Sequence, residues 1–186
     1  MSLNCVEIEE IVKTIPKKGI IKKFFQKDKN GLIIQINDSR RDFFLFINLL
    51  DNYNFISLLD KIDTKGTVNR FAQKLNADLV LMKYDNIYQY EYSRIVILHF
   101  SRGHKLIVRL WGKASNILLV DENDLIIDSL RRMPGRGEWP NEYFEFPEGD
   151  RGWEKYKIRD EFKGKQINEL VYKKYTGEIE NINFKR

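Results

Sequence analysis

Apolar residues at Val6, Ile8, Ile11, Val12 and Ile15 recur at near-helical spacing until Pro16 stops the pattern, which predicts one amphipathic helix. The period then shortens. Ile20 to Phe25 and Leu32 to Ile36 are strand-sized apolar runs separated by Asp28, Lys29, Asn30 and Gly31, and an Asn-Gly pair so placed is a hairpin signal. Phe43 to Leu49 supplies a third strand. Asp51 to Asp63 has no clean period and reads as a connection crossing the edge of the sheet. Thr67 reads as the cap of a second helix through Leu75, with Val68, Phe71, Ala72 and Leu75 on one face.

From Leu79 onward the period is two. Leu79 to Tyr84, Tyr88 to Tyr92, Arg94 to Phe100, Lys105 to Trp111, Asn116 to Val120 and Leu125 to Leu130 read as successive short strands. Turn formers separate them, among them Asp85-Asn86, Ser101 to Gly103, Gly112 to Ala114 and Asp121 to Asp124. The expected class is α+β: an antiparallel β-sandwich or partly closed barrel of short strands, two packing helices and a helical carboxy-terminal tail. The composition shifts after Leu130, so the expected domain covers residues 1–147 and the tail residues 148–186. Phe162, Ile167, Leu170 and Val171 are the tail's apolar contacts, too few for a core of their own.

Composition narrows the field. A chain of 186 residues with 42% hydrophobic, 32% charged and 13% aromatic residues is neither disordered nor fibrous. No apolar run approaches the roughly 20 residues of a membrane span, so no membrane role is expected. Glu7, Glu9 and Glu10 stand where a secretory signal has a cationic start and an apolar run, and a cytoplasmic location is expected. Cys5 is the single cysteine, and His99 and His104 are the two histidines, which excludes an intrachain disulfide and a cysteine or histidine-rich zinc site. No cofactor is expected.

Lys and Arg total 32 against 27 acids, for a net charge of +5. The excess favours an acidic partner such as nucleic acid. A Ser-His-Asp set would have to pair His99 or His104 with Ser93, Ser101 or Ser115, and both histidines read more simply as structural or surface residues. No GxGxxG, Walker A or HExxH pattern is present. Asp121, Glu122 and Asp124 are explained by a tight turn between strands, and with Asp128 they make no compelling metal set. No enzymatic activity is expected.

One stretch is more specific. Ile107 to Arg132, IVRLWGKASNILLVDENDLIIDSLRR, joins an apolar strand, a turn from Gly112 through Lys113 and Ser115 to Asn116, a second strand ending in Asp-Glu, and an Ile-Ile-Asp-Ser run carrying Asp128. This block resembles the amino-terminal domain of the fibronectin-binding protein A, or NFACT, family of ribosome-associated quality-control factors. The Met-Ser-Leu-Asn start and Gly19 to Gln26 are similar as well, so the resemblance covers about residues 1–147. It implies a fold related to the amino-terminal domain of formamidopyrimidine-type DNA glycosylases. Those enzymes use an amino-terminal proline and a following glutamate, and this chain begins Met1-Ser2-Leu3-Asn4.

The resemblance also implies partners. Family members bind the large ribosomal subunit and tRNA, through an Asp-Arg pair that aligns with Ser93-Arg94 and an aspartate that aligns with Asn4. Both carboxylates are neutral groups here, so tail synthesis is not expected to follow from the resemblance alone. Family proteins continue into a helix-hairpin-helix region, a coiled coil and an RNA-binding domain, whereas this sequence carries only the beginning of a helical tail. The leading expectation is a non-catalytic module that docks on tRNA or large-subunit ribosomal RNA through Arg94, Lys113, Arg131, Arg132 and Arg136. The alternatives are an adhesin that binds fibronectin or fibrinogen and, behind it, a glycosylase-like DNA-binding enzyme.

Overall fold

The computed structural model of the chain describes residues 1–65, 69–148 and 152–185. Helix α1 (Cys5–Thr14) starts where the Asn4 side-chain oxygen accepts the Val6 and Glu7 amides and the Glu7 carboxylate accepts the Asn4 amide, a reciprocal capping box. It ends at Ile15, whose extended backbone suits the residue before a proline.

Nine strands follow among the described residues: β1 (Gly19–Gln26), β2 (Gly31–Asn37), β3 (Asp42–Asn48), β4 (Phe55–Leu59), β5 (Lys83–Gln89), β6 (Ile95–Phe100), β7 (Lys105–Arg109), β8 (Asn116–Val120) and β9 (Ile126–Ser129). They form one antiparallel sheet in the order β4-β3-β2-β1-β5-β6-β7-β8-β9. Helix α2 (Arg70–Leu79) lies between β4 and β5 in sequence, and α3 (Ile167–Lys185) closes the chain. The expected α+β class and antiparallel strand system are both present.

The sheet folds on itself at its weakest seam. β1 meets β5 at two residue pairs, Gly19 with Tyr84 and Ile20 with Lys83, and just beyond them Ile21 donates to the Met82 carbonyl and accepts the Leu81 amide. Beyond that seam the Phe24 amide and carbonyl lack a strand partner, and the Asn76 side chain of α2 supplies both bonds at 2.8 and 3.0 Å. Leu32, Ile34, Ile36, Leu45 and Ile47 of one half then share a core with Val96, Leu98, Leu106, Val108, Ile117 and Leu119 of the other. That shared core is the interior of a sandwich.

Each outer face has its own cover. On β3 and β4, Phe46 and Phe55 meet Tyr172 and Tyr175 of α3 at 6.0 and 5.1 Å between ring centres. Asn168 accepts the Leu58 amide at 2.9 Å, which occupies the free edge of β4. Over β6 to β9, Ile95, Ile97, Ile107, Leu118, Val120 and Ile126 lie beneath Phe144 and Phe146. The segment carrying those rings pairs along β9, where Ile126 donates to the Glu142 carbonyl and Asn141 to the Ile126 carbonyl.

Several details differ from the sequence expectation. The expected Asp85-Asn86 turn lies within β5, and instead of a separate strand over Tyr88 to Tyr92 the chain runs from β5 into a turn at Tyr90 to Ser93, where Glu91 and Tyr92 take positive φ. The segment read as a connection contains β4, which is buried on both faces because α3 covers the second, so its sequence does not alternate. The strand expected over Leu79 to Tyr84 is instead the end of α2, a turn with Leu81 at φ 66°, and the start of β5. Leu79 is buried with Phe71, Ala72 and Leu75, so the helical face runs one turn further than it reads. Asn69 is the N-cap of α2, and the expected cap Thr67 and its neighbour Val68 lie outside the described residues. After residue 147, Phe162, Ile167, Val171 and Tyr175 lie in the main core.

Replacing Asn76 with Ala removes both bonds to the unpaired Phe24 backbone. We expect a loss of about 1–3 kcal/mol in urea unfolding, with faster amide exchange at Phe24 as the local signature.

Two buried phenols make the fold sensitive to alkali. The Tyr84 hydroxyl donates to the Pro16 carbonyl at 2.8 Å, and its ring lies where a Cβ on Gly19 would come within 2.7 Å. Burial, reinforced by Asp38, pushes the Tyr84 pKa well above its ordinary value. Burial likewise pushes Tyr175 up to about 12, partly offset by Arg159. A raised pKa in the folded state means that stability is full below the unfolded value near 10 and is lost as pH rises above it. Stability measured from pH 9 to 11.5 should therefore fall less steeply for Tyr84→Phe than for the parent chain.

Candidate nucleic-acid interface

The turn between β5 and β6 delivers Arg94. Glu91 and Tyr92 adopt positive φ, and the Ser93 hydroxyl fixes the turn by donating to the Tyr90 carbonyl at 2.5 Å and accepting the Ile95 amide at 3.1 Å. Gln89 donates to the carbonyls of both Cys5 and Ser93 at 2.7 Å, which ties this turn to the start of α1. Asn4 and Arg94, far apart in sequence, therefore line one cavity of about 160 Å³ with Met1, Ser2, Leu3, Cys5 and Tyr156.

Within that cavity the aligned positions have separate tasks. Asn4 is spent as a cap, and its amide donates to the Lys157 carbonyl at 3.0 Å. Ser93 locks the turn. The Arg94 guanidinium lies over the Trp111 ring at 5.8 Å and makes no ion pair among the described residues. None of the residues lining this cavity carries a carboxylate.

The Gly112 to Arg132 block forms a lock between the sandwich halves. Gly112, at φ 50°, opens a short turn that returns the Ala114 carbonyl to the Arg109 Nε at 2.7 Å. Arg109 also forms a buried ion pair with Glu138, whose other oxygen accepts from Asn116 at 3.1 Å. Asn116 exchanges two further bonds with the Arg131 backbone. The Arg131 guanidinium donates to the Ser115 carbonyl and hydroxyl, to Asn30 Oδ1 at 2.6 Å and to the Leu49 carbonyl at 2.9 Å. Burial lowers its pKa, with Asp51 opposing. Arg131 therefore spends its donors inside the protein.

The other selected cations face outward. Arg132 lies over Trp139 at 5.4 Å and reaches Asp128 at 3.3 Å; buried Asp128 also binds Arg70 and the Ser129 amide. Lys113 and Arg136 are exposed and make no ion pair among the described residues. Arg136 borders a cavity of about 520 Å³ with Arg109, Trp111, Glu138, Glu142 and Tyr143, so its surroundings are mixed in charge. The structure thus brings Asn4, Ser93 and Arg94 together, and places Lys113, Ser115, Asn116, Arg131, Arg132 and Arg136 around the second half of the sandwich. Sequence reading missed Trp111, Trp139 and Tyr156. The Arg109-Leu-Trp111 alternation put the guanidinium and indole on one strand face and was the available signal. The candidate catalytic groups do not converge: His99 bonds Asp85 at 2.8 Å, and the Ser93 and Ser115 hydroxyls bond backbone carbonyls.

A folded antiparallel sheet, with a capped helix at its mouth and a long helix across one face, defines the structural class of this module. The family described as NFACT N-terminal and middle domains matches residues 6–181, and the chain belongs to that family. Among solved structures it is similar to the N-terminal domain of fibronectin-binding protein PavA from Streptococcus pneumoniae, with TM-score 0.73 and 22% identity over 86% of this chain and 69% of that one. The fibrinogen-binding protein from Staphylococcus aureus gives TM-score 0.69 and 21% identity over 77% of this chain, and the alignment spans 56% of that protein. The N-terminal part of the fibronectin/fibrinogen-binding protein from Streptococcus suis gives 0.67 and 21%, over 78% and 59%. At these identities the comparisons establish the fold. No match was found among curated proteins.

Arg131→Met removes the donor that the Ser115 carbonyl and Asn30 Oδ1 accept from and leaves the Leu49 carbonyl with the Ser115 hydroxyl alone. We expect a loss of about 2–3 kcal/mol in chemical unfolding, and Arg131→Lys should recover only part of it because an ammonium lacks the planar fork.

Proposed function

We propose that this chain is a non-catalytic RNA-binding module that acts in the cytoplasm and docks on tRNA or on RNA of the large ribosomal subunit. Family membership supports this reading. The observation that carries it is the Arg94 cavity: a guanidinium without an ion pair among the described residues, held on an indole, lines a pocket with the residues before α1 and no carboxylate. A phosphate oxygen pair matches the guanidinium fork. Tyr156, 46% exposed at the cavity rim, offers a ring on which an unpaired base can stack, while the Tyr92 ring is already stacked on Trp153 at 4.7 Å. Asn4 lines the cavity without the negative charge that an aspartate would add there, and Ser93, next to Arg94, likewise carries none. The same replacement withholds groups for proton transfer, which is why the proposal stops at binding.

A second reading comes from the names of the similar structures: binding of fibronectin or fibrinogen. Both readings are testable on the same purified chain. Affinity for tRNA and for large ribosomal subunits should fall at least tenfold between about 50 and 200 mM salt, the behaviour of a multi-phosphate contact. Arg94→Ala should cost about a further tenfold. Lack of association at the lower salt, together with saturable binding to immobilised fibronectin or fibrinogen, would replace the first reading with the second.

A further inference from the structure

We propose that the groove between the end of β4 and the start of α3 is a second RNA contact, one that receives a stretch of phosphate backbone. The inference rests on the RNA-binding reading above and extends it to a surface that shares no residue with the Arg94 cavity.

The groove has a volume of about 600 Å³, and four cations border it: Arg41 ahead of β3, Lys61 after β4, Lys165 ahead of α3 and Lys173 within α3. Two carboxylates, Asp60 and Glu169, stand among them. Asp60 is taken by Arg41 at 2.6 Å. Lys61, Lys165 and Lys173 are exposed and have no ion-pair or hydrogen-bond partner for their ammonium groups among the described residues.

Their sequence neighbours behave differently. Lys163 pairs with Asp160 at 2.7 Å, and Lys174 pairs with Glu161 and Glu178. One or two residues away, on the groove side, the lysines are left unmatched. With Asp60 taken by Arg41, the three lysines face one remaining carboxylate, Glu169, so the groove keeps a net positive charge that a polyanion laid along it offsets. Lysine suits this task because a flexible point charge follows a phosphate chain without demanding one geometry.

The groove is also rigidly framed. Asn168 accepts the Leu58 amide, its carbonyl accepts the Ser57 hydroxyl at 2.6 Å, and its amide donates to Thr14 at 2.9 Å, so the start of α3 is fixed to β4 and α1. Tyr172 packs edge-on against Phe46 and forms one wall with its half-buried phenol. Because the cations come from three separate segments of chain, an extended backbone with repeated charges fits them better than a single anion does.

The test compares salt dependence. Lys61→Gln, Lys165→Gln and Lys173→Gln are combined in the full chain, and tRNA affinity is measured from about 50 to 200 mM salt. Removing three phosphate contacts should make the slope of log affinity against log salt shallower by about two, while the Lys→Arg triple variant keeps the parent slope. An unchanged slope and affinity in the Gln variant, with Arg94→Ala still impaired, overturns the groove and leaves the RNA-binding reading standing. Absence of salt-dependent tRNA binding in the parent chain overturns both. Loss of binding to an acidic peptide or to phosphatidylserine vesicles, with tRNA binding unaffected, also overturns the proposal.

Discussion

The Glu7 carboxylate has no exposed surface, and the amino end of the molecule is arranged around it. A buried carboxylate is costly unless every oxygen is matched. Here one oxygen accepts the Asn4 amide at 3.0 Å and Arg159 Nη2 at 2.8 Å, while the other accepts the Arg159 amide at 3.1 Å and its Nε at 2.8 Å. Burial would lower the Arg159 pKa, but its bonds to Glu7 and Tyr175 outweigh that and raise it, so the partner stays cationic. Tyr175 then accepts from Arg159 and donates to the Met1 carbonyl. One acid thereby joins residues 1–7, the segment ahead of α3 and α3 itself. The Arg94 cavity is built on that joint, since Met1 to Cys5 form most of its lining.

The same economy recurs where the strand ladder stops. Asn76 completes β1 past the seam, Asn168 occupies the edge of β4, and Asn116 links β8 to the Arg131 backbone. A primary amide offers both a donor and an acceptor, so one side chain can satisfy a backbone amide and carbonyl that have lost a strand neighbour. This is how a single sheet can bend into a sandwich without leaving the exposed edges that invite aggregation.

Much of this was legible in the sequence. Strands buried on one face alternate, and the hairpin at Asp28 to Gly31 is set by Asp28, whose carboxylate accepts the Asn30 and Gly31 amides. What could not be read locally was caused by distant residues. β4 does not alternate because α3, more than a hundred residues later in the chain, covers its second face. Leu79 looks like the start of a strand because Val80, Leu81 and Met82 extend its apolar run, yet it completes the buried face of α2. The site was legible in part: the resemblance named Asn4 and Arg94 as separate positions, and the fold brings them to one cavity, whereas the indole beneath Arg94 and the interior position of Arg131 depend on the folded register of β7 and β8.

Arg131 shows why net charge is a poor guide to a polyanion surface. Arg70, Arg109, Arg131 and Arg159 are each tied to acceptors within the fold, because a planar fork of donors can satisfy several carbonyl or carboxylate oxygens at once. An ammonium cannot do that as well, and the unmatched cations of the Lys61, Lys165 and Lys173 groove are all lysines. The excess of +5 over the whole chain counts both populations equally. Cations whose donors are spent inside the fold have fewer left to offer a phosphate. Cation for cation, then, a surface lysine with no carboxylate in reach carries more information about a nucleic-acid partner than an arginine chosen from a basic run of sequence.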